Sequence, residues 1–252
     1  MRPTSLFALL FTLFTFITPL SAADSPAPYS EFRLYQVVPG KLEAVLERFR
    51  DKIEPLYKKH QIRALGYWTN VLTPEKPIFL YLLSDSSQES LASKMKAFAE
   101  DPEFKKAYAE STQKHGPTVE KIETFKVNPL DLPAEAAPNS IQMSRTFEFR
   151  HYIVTPGRMN DYIQNYKEHR TALFSKHGLS NYGYWQSADP GQPDSFFMML
   201  THTSVDAINK AKAAYHADPA WNEAVKPLDK AGPPTKSVVS IMLKAVDFSP
   251  VK

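Results

Sequence analysis

The spacing of apolar residues alternates along the chain between two residues and about 3.6 residues, which predicts strands and helices in turn. Residues 32–38 alternate as in a strand, and Pro39-Gly40 ends that strand because proline donates no ladder hydrogen bond and glycine permits a turn. Helical spacing follows at Leu42, Val45, Leu46, Phe49, Ile53 and Leu56. The pattern predicts a strand followed by an amphipathic helix of about five turns.

The next 60 residues predict two strands, two helices and a last strand. Residues 62–70 and the nearly all-apolar segment 78–84 are the strands, and the second is expected to be central and covered on both sides. Asp85-Ser86-Ser87 can cap a helix, and Asp101-Pro102 can start a short extra helix. With a strand at 119–127, the order is β-α-β-β-α-β, the ferredoxin-like arrangement.

This pattern occurs twice. Residues 31–68 align without a gap with residues 148–185, an offset of 148 − 31 = 117, and 13 of the 38 positions are identical. Unrelated sequences would share roughly two. The same offset aligns Asp101-Pro102 with Asp218-Pro219, Phe104 with Trp221, and Pro117-Thr118 with Pro234-Thr235. We therefore divide the chain into a first repeat at 31–127, a proline-rich linker at 128–144 and a second repeat at 145–247.

The duplication predicts an α+β fold in which two ferredoxin-like βαββαβ repeats form one intramolecular α/β barrel. Each repeat leaves one face of its sheet bare, and the sheet of the other repeat is the simplest cover for it. The alternative is that each repeat pairs with a repeat of another molecule.

The first 23 residues predict a cleaved signal peptide. Arg2 precedes an apolar run at 6–20, and Ser21-Ala22-Ala23 supplies the small residues of a cleavage site. The run is shorter than the ~20 residues that span a bilayer. We expect a secreted or periplasmic protein with a lead-in at 24–30 and no stable membrane insertion after cleavage.

Composition excludes several classes of site. The absence of cysteine rules out disulfides, thiolate chemistry and cysteine-ligated metals. The charge of +3 falls to +2 when Arg2 is removed, and basic residues are scattered among acidic ones, so we expect no nucleic-acid partner. The histidines show no metal-binding spacing, and there is no glycine-rich phosphate loop, so we expect no metal and no cofactor. The sequence does not decide whether two molecules of this protein associate with each other.

The duplicated motifs resemble the NIPSNAP family of the dimeric α/β-barrel superfamily. The first set is Glu31-Phe32-Arg33, Tyr35, Pro39-Gly40-Lys41, His60, Gly66-Tyr67-Trp68 and Asp101-Pro102-Glu103-Phe104. The second set is Glu148-Phe149-Arg150, Tyr152, Pro156-Gly157-Arg158, His177, Gly183-Tyr184-Trp185 and Asp218-Pro219-Ala220-Trp221. The resemblance implies a fold similar to cofactor-free monooxygenases, haem-handling barrels and stress-responsive barrel proteins, and it implies no agreed catalytic residues.

Two pairs, Arg33 with Tyr35 and Arg150 with Tyr152, each lie on one face of a first strand because they are two residues apart. If that face lines the barrel, each pair offers a cation and a phenol that suit a carboxylate or an enolate-like oxygen. If it faces the helices or the rim, the arginine pairs with an acid and the tyrosine packs.

His60 and His177 occupy equivalent positions at the ends of the first helices. They are candidates for general bases or ligands, or else basic residues that stabilise the negative end of a helix.

The ligand-binding candidates are Tyr67, Trp68, Tyr184, Trp185 and His151. One aromatic residue of each Tyr-Trp pair is expected in the core, and the other could line an apolar pocket or pack there too. His151 and His202 lie on predicted strands, where they could approach each other or a haem iron.

Three functions follow from these residues. The first is binding of a small apolar or carboxylated ligand between the two sheets, with catalysis left open. The second is a cofactor-independent monooxygenase or isomerase that uses an Arg/Tyr pair and a nearby histidine. The third is haem binding. Leu34 stands opposite His151 in the alignment, and Gln36 opposite Ile153, so at most one half of the molecule is expected to carry a competent site.

Overall fold

The computed structural model describes residues 29–133, 146–230 and 232–251. The predicted signal peptide, nearly all of the lead-in and most of the linker lie outside the described residues.

The first half contains four strands and four helices in the predicted order. The strands are β1 (Tyr29–Val37), β2 (Arg63–Asn70), β3 (Ile78–Asp85) and β4 (Val119–Pro129). The helices are α1 (Leu42–Arg48), α2 (Glu54–Lys59), α3 (Gln88–Glu100) and α4 (Pro102–His115). A π-helical turn at Phe49–Ile53 joins α1 to α2, so the predicted five-turn helix is continuous but locally widened. The helix after Asp101 is as long as its neighbour α3, whereas the sequence predicted a short one.

The second half repeats this course. Its strands are β5 (Thr146–Val154), β6 (Ser180–Ser187), β7 (Ser195–His202) and β8 (Thr235–Ala245). Its helices are α5 (Met159–Asn165), α6 (Thr171–Lys176), α7 (Val205–Ala217) and α8 (Pro219–Asp229), with a second π-helical turn at Tyr166–Arg170.

The offset between the halves changes before the last strand. Tyr35 pairs with Ile122 and the equivalent Tyr152 pairs with Val238, an offset of 238 − 122 = 116. The alignment of Pro117-Thr118 with Pro234-Thr235 was therefore wrong by one residue, because α8 and its following loop are one residue shorter than their first-half equivalents.

The eight strands form one closed antiparallel barrel in the order β1-β3-β2-β8-β5-β7-β6-β4. Two short seams join the halves. At one, β2 pairs with β8 from Trp68 opposite Ala245 to Asn70 opposite Leu243. At the other, β4 pairs with β6 from Val127 opposite Ser187 to Pro129 opposite Trp185. The intramolecular barrel predicted from the duplication is confirmed, and the seam at β4 uses residues 128 and 129 of the predicted linker.

Large side chains from both halves fill the barrel interior. The Phe32 ring lies 5.0 Å from Phe149 and 4.9 Å from Trp185, measured between ring centroids, and Trp68 lies 5.6 Å from Phe147. All five are buried. Side chains from both halves thus meet between the two sheets, where the sequence predicted a ligand pocket.

The helices cover the outer face of the barrel. In each half a separate apolar cluster joins the helix layer to the sheet, around Phe49, Phe79 and Tyr81 in the first half and around Tyr166, Phe196 and Met198 in the second. No helix in the described ranges has the length and apolarity needed to span a membrane.

The repeated Gly-Tyr-Trp motif has a steric cause. A methyl group added at Gly66 would come within 2.2 Å of the Trp68 ring, and one at Gly183 within 2.5 Å of the Trp185 ring. Each tryptophan folds back over its glycine beside a β-bulge and fills the barrel interior. Only glycine leaves room for this packing.

Both first helices end in a Schellman motif. The Ile62 amide donates to the Tyr57 carbonyl and the Gln61 amide to the Lys58 carbonyl, at 2.8 and 3.1 Å. The motif places Gln61 in the left-handed region at φ 55°. In the second half the equivalent residue is Gly178, at φ 72°.

We expect Gln61→Gly to raise the free energy of unfolding by about 0.5–1 kcal/mol, because glycine adopts this backbone conformation without steric cost. Gly178→Gln should lower it by a similar amount. Urea denaturation of the two variants beside the wild type measures both changes. If both substitutions raised the free energy of unfolding, or both lowered it, the assignment of strain to Gln61 would be contradicted.

Candidate functional site

The Arg/Tyr face of each first strand points away from the barrel interior and toward the helices. Phe32 and Leu34 belong to the interior cluster, so Arg33 and Tyr35 on the same strand lie on the opposite face. Tyr35 packs against Phe49 of the first π-helical turn. Of the two arrangements that the sequence left open, the structure has the one in which this face meets the helix layer.

A cavity of about 370 Å³ lies between this face and the helices of the first half. That volume lies in the range of small-molecule sites. Its apolar walls come from the first π-helical turn, α3, α4 and β4, with Phe49, Ile53, Met95, Phe98, Phe104, Val119 and Ile122 among the lining residues. Its polar residues are Arg33, Tyr35, Arg48, Tyr57, Tyr108, Thr112 and Thr118.

The two arginines of this cavity differ in their partners. The Arg33 guanidinium is bound to the Glu31 carboxylate at 2.8 Å. Arg48 instead donates to the hydroxyls of Ser111 and Thr118 at 3.2 and 3.3 Å, and its guanidinium lies 5.5 Å from the Tyr108 ring centroid. Within the described residues no carboxylate pairs with Arg48, although it is buried. Burial lowers the pKa of Arg48 from its usual value, as expected for a cation with no anion beside it.

The phenols of the cavity are neutral hydrogen-bonding groups. The Tyr81 hydroxyl donates to the Tyr35 hydroxyl at 2.9 Å. Burial raises the pKa of Tyr35 and of Tyr57 well above that of an exposed tyrosine. The residues that line the cavity include two cations but no carboxylate and no imidazole. The arrangement can bind an anion, and it has no side chain that accepts a proton readily at neutral pH.

In the second half, an arginine side chain occupies the corresponding region. Ile53 of the first half is replaced by Arg170, and Arg48 is replaced by Asn165. The Arg170 guanidinium donates to the Asn165 side-chain oxygen at 2.7 Å and lies 4.9 Å from the centroid of Trp221, the equivalent of Phe104. It also stacks near Tyr162 and Tyr166. The two halves are thus unequal, as the divergence of the repeats suggested.

The two equivalent histidines join helices outside the cavity. The Nε2 atoms of His60 and His177 each lie 2.7 Å from a carboxylate oxygen, of Asp101 and Asp218 respectively. Asp101 also accepts from the Glu103 amide at the start of α4. His60, with Lys59 and this amide, holds the pKa of the Asp101 carboxyl well below its usual range. These contacts fix the end of α2 to the start of α4, and neither histidine lines the cavity.

The Tyr-Trp pairs all lie in the core. Tyr67 and Tyr184 pack under the helices of their own halves, and Trp68 and Trp185 pack inside the barrel. None of these four lines the first-half cavity.

His151 lies inside the barrel and far from His202. Its ring stacks on Phe197 at 4.3 Å, and its Nε2 atom lies 3.0 Å from the Ser195 hydroxyl oxygen. His202 pairs with Thr146, five residues along β5 from His151, a separation of about 17 Å. The expectation that the two histidines could approach each other was therefore wrong. No group of three or more metal-binding side chains occurs among the residues that the structure describes.

Arg48, the most informative residue of the site, is not among the residues that the sequence pattern predicts. It reads as one more polar position on an amphipathic helix, and only packing shows that it is buried. Its replacement by asparagine in the aligned second repeat was the available signal.

Both halves match one sequence family. Residues 30–131 and 147–250 each match the NIPSNAP family model. The two matched ranges together cover most of the chain. The chain belongs to the NIPSNAP family. No curated protein sequence matches this NIPSNAP chain.

Two solved structures with TM-scores above 0.5 share its fold at low sequence identity, and a third, shorter one is a member of the same family. A candidate monooxygenase from Fusobacterium nucleatum is 10% identical, with a TM-score of 0.57 over 90% of this chain and 99% of that one. An anthrone oxidase-like protein is 15% identical, with a TM-score of 0.54 over 86% of this chain and 91% of that one. A NIPSNAP family protein from Agrobacterium tumefaciens is 20% identical, with a TM-score of 0.41 over 47% of this chain and 100% of that one.

Burial of His151 predicts that acid lowers the stability of the NIPSNAP barrel. Burial lowers the pKa of His151 below its usual value, so the folded state holds this side chain neutral while the unfolded chain binds a proton below about pH 6.5. Stability from this residue is therefore present above pH 6.5 and is lost as the pH falls.

We expect His151→Leu, which introduces the first-half residue Leu34, to reduce the loss of unfolding free energy between neutral and mildly acidic pH. Urea denaturation at both pH values measures this, with the exposed His169→Gln as the control. An unchanged pH dependence in His151→Leu would show that other groups cause the acid sensitivity.

Proposed function

We propose that this NIPSNAP protein binds a small apolar compound that carries a carboxylate, in the cavity between the helices and the sheet of its first half. The observation that carries the proposal is Arg48, a buried guanidinium that borders the cavity without an acidic partner in the described residues. A buried charge is costly unless it is paired, and a ligand carboxylate would supply the pair.

The rest of the cavity suits the same class of ligand. The aromatic and aliphatic walls would receive an apolar body, as in most small-molecule sites. The hydroxyls of Tyr35 and Thr118 could orient polar groups of that body. Arg33 is already neutralised by Glu31, so the site offers one unpaired cation and suits a monoanion better than a dianion.

This placement replaces the predicted site between the two sheets, where side chains fill the space. Export of the chain remains a prediction from its N-terminal pattern, and we propose that binding takes place outside the cytoplasm.

Binding can be measured by isothermal titration calorimetry with a panel of aromatic and medium-chain carboxylic acids and the matching primary amides. We expect the wild type to bind acids more tightly than amides. Arg48→Gln should weaken acid binding by about tenfold to a hundredfold, because hydrogen bonds to charged groups contribute about 1.5–3 kcal/mol. Amide binding should change little.

Two further variants separate this site from general charge effects. Arg63→Gln removes one exposed positive charge that does not border the cavity, and it should leave acid binding unchanged. The double variant Arg48→Asn/Ile53→Arg introduces the second-half residues and should fill the cavity. Binding of both acids and amides should therefore be lost. Equal binding of acids and amides by the wild type, or full acid binding by the double variant, would refute the proposal.

A second candidate function is cofactor-independent oxygenation. The Tyr35–Tyr81 hydroxyl pair beside Arg33 could stabilise an enolate-like oxygen, and two proteins of similar fold are named a monooxygenase and an anthrone oxidase-like protein. Their identities of 10% and 15% support a shared fold alone. The predicted partner of the Arg/Tyr pair, a nearby histidine, is absent from the lining of the cavity.

An oxygen electrode distinguishes the two functions. With anthrone as the test compound, we expect no oxygen uptake above that of buffer, because no lining residue is a ready proton acceptor. Uptake that depends on the wild-type protein and is abolished by Tyr35→Phe would favour oxygenation instead.

A further inference from the structure

The last strand of the barrel has a partly free edge. β8 pairs with β5 along nearly its whole length, but it pairs with β2 only from Leu243 to Ala245. One more hydrogen bond, from the Val71 amide to the Met242 carbonyl at 3.0 Å, ends this seam. Before Met242, no strand of the described chain pairs with that edge of β8.

The residues whose backbone groups face this edge can be identified because every second residue of β8 faces the same side. Successive residues of a strand direct their amide and carbonyl groups to alternate edges. Because the Met242 carbonyl faces β2, Val238 and Ser240 direct their groups to the same side. No hydrogen-bond partner for these groups occurs on this edge within the described residues.

Exposed apolar side chains lie along the free edge. Val238 and Val239 are 52% and 54% exposed, and Val71 and Leu72, at the end of the seam, are 37% and 61% exposed. An exposed strand edge with apolar side chains and few charges is a template for pairing with another strand. Lys236 is the one charged residue from 235 to 243.

The equivalent edge on the other side of the barrel is different. Ile122 and Glu123 of β4 stand in place of Val238 and Val239, with Glu120 and Lys121 beside them. At the end of that seam, Ala188 and Asp189 stand in place of Val71 and Leu72. Charged residues are the usual protection of an edge strand, so β4 is protected and β8 is not.

We propose that a second copy of this chain pairs with the free edge of β8, in an antiparallel β8–β8 contact about a twofold axis. The contact would continue the β2–β8 seam, so that β8 pairs with β2 at one end and with its symmetry mate at the other. With Val238 on the axis, Lys236 faces Ser240 of the second copy and no like charges meet. Such a contact uses the same surface on both molecules and therefore closes at two copies.

Pairing with the β4 edge of another molecule is less favourable. It would set apolar Val238 and Val239 against a strand that carries Glu120, Lys121 and Glu123, and its head-to-tail geometry would lead to open chains.

Sedimentation velocity of the mature chain over a range of concentrations tests the proposal. We expect a monomer–dimer equilibrium whose dissociation constant rises about tenfold or more in Val238→Lys, because two lysines then meet at the axis. The control is Ile122→Lys, the same change at the equivalent exposed position of β4, and it should leave the dimer intact. Urea denaturation of both variants checks that each is folded.

Hydrogen exchange gives a second measurement. The Val238 and Ser240 amides should exchange more slowly as the protein concentration increases, and this protection should disappear in Val238→Lys. A wild type that is monomeric at every concentration, assemblies larger than a dimer, or a dimer that survives Val238→Lys and is lost in Ile122→Lys would overturn the proposal. None of these outcomes depends on ligand binding.

Discussion

The contact of the two sheets inside one barrel is the interaction on which the rest of this NIPSNAP structure depends. A four-stranded sheet with helices on one face leaves its other face apolar, and each large side chain buried there contributes about 1.5–3 kcal/mol. Phe32 of one repeat meets Phe149 and Trp185 of the other, so each half supplies the cover that the other requires. Glycine at positions 66 and 183 leaves room for the two tryptophan rings, because a larger residue there would collide with them.

The largest side chains of the two sheets occupy the barrel interior, whereas the cavity of the first half lies on the other side of the sheet. A ferredoxin-like repeat has two apolar layers, and in this protein large side chains from both halves occupy the layer between the sheets. The remaining space lies between helices and sheet, where a π-helical turn places Phe49 and Ile53 beside the first strand. Such turns are common at functional sites because they change which side chains face inward.

Duplication has allowed the halves to diverge while the barrel is retained. The interior phenylalanine of the first strand and the interior tryptophan of the second are kept in both repeats, as are the histidine–aspartate contacts that fix one helix to the next. The residues around the helix layer have changed. Arg48 and Ile53 border a cavity in one half, whereas Asn165 and Arg170 fill the same region in the other. The strand edges differ likewise, with charges on β4 and valines on β8.

The sequence by itself determined the repeat, the order of elements and the barrel. Residue periodicity indicates which face of an element is apolar, and a duplication of that pattern leaves few ways to bury two bare sheets. The sequence also placed Arg33 and Tyr35 on one face, but not which layer that face meets, since both layers of this fold are apolar. Only the tertiary structure showed that this face meets the helices, that Arg48 is buried with no carboxylate partner among the described residues, and that Arg170 packs against aromatic rings in the second half. Those facts depend on which side chains from distant segments fill a given volume, and spacing along one segment carries no information about that.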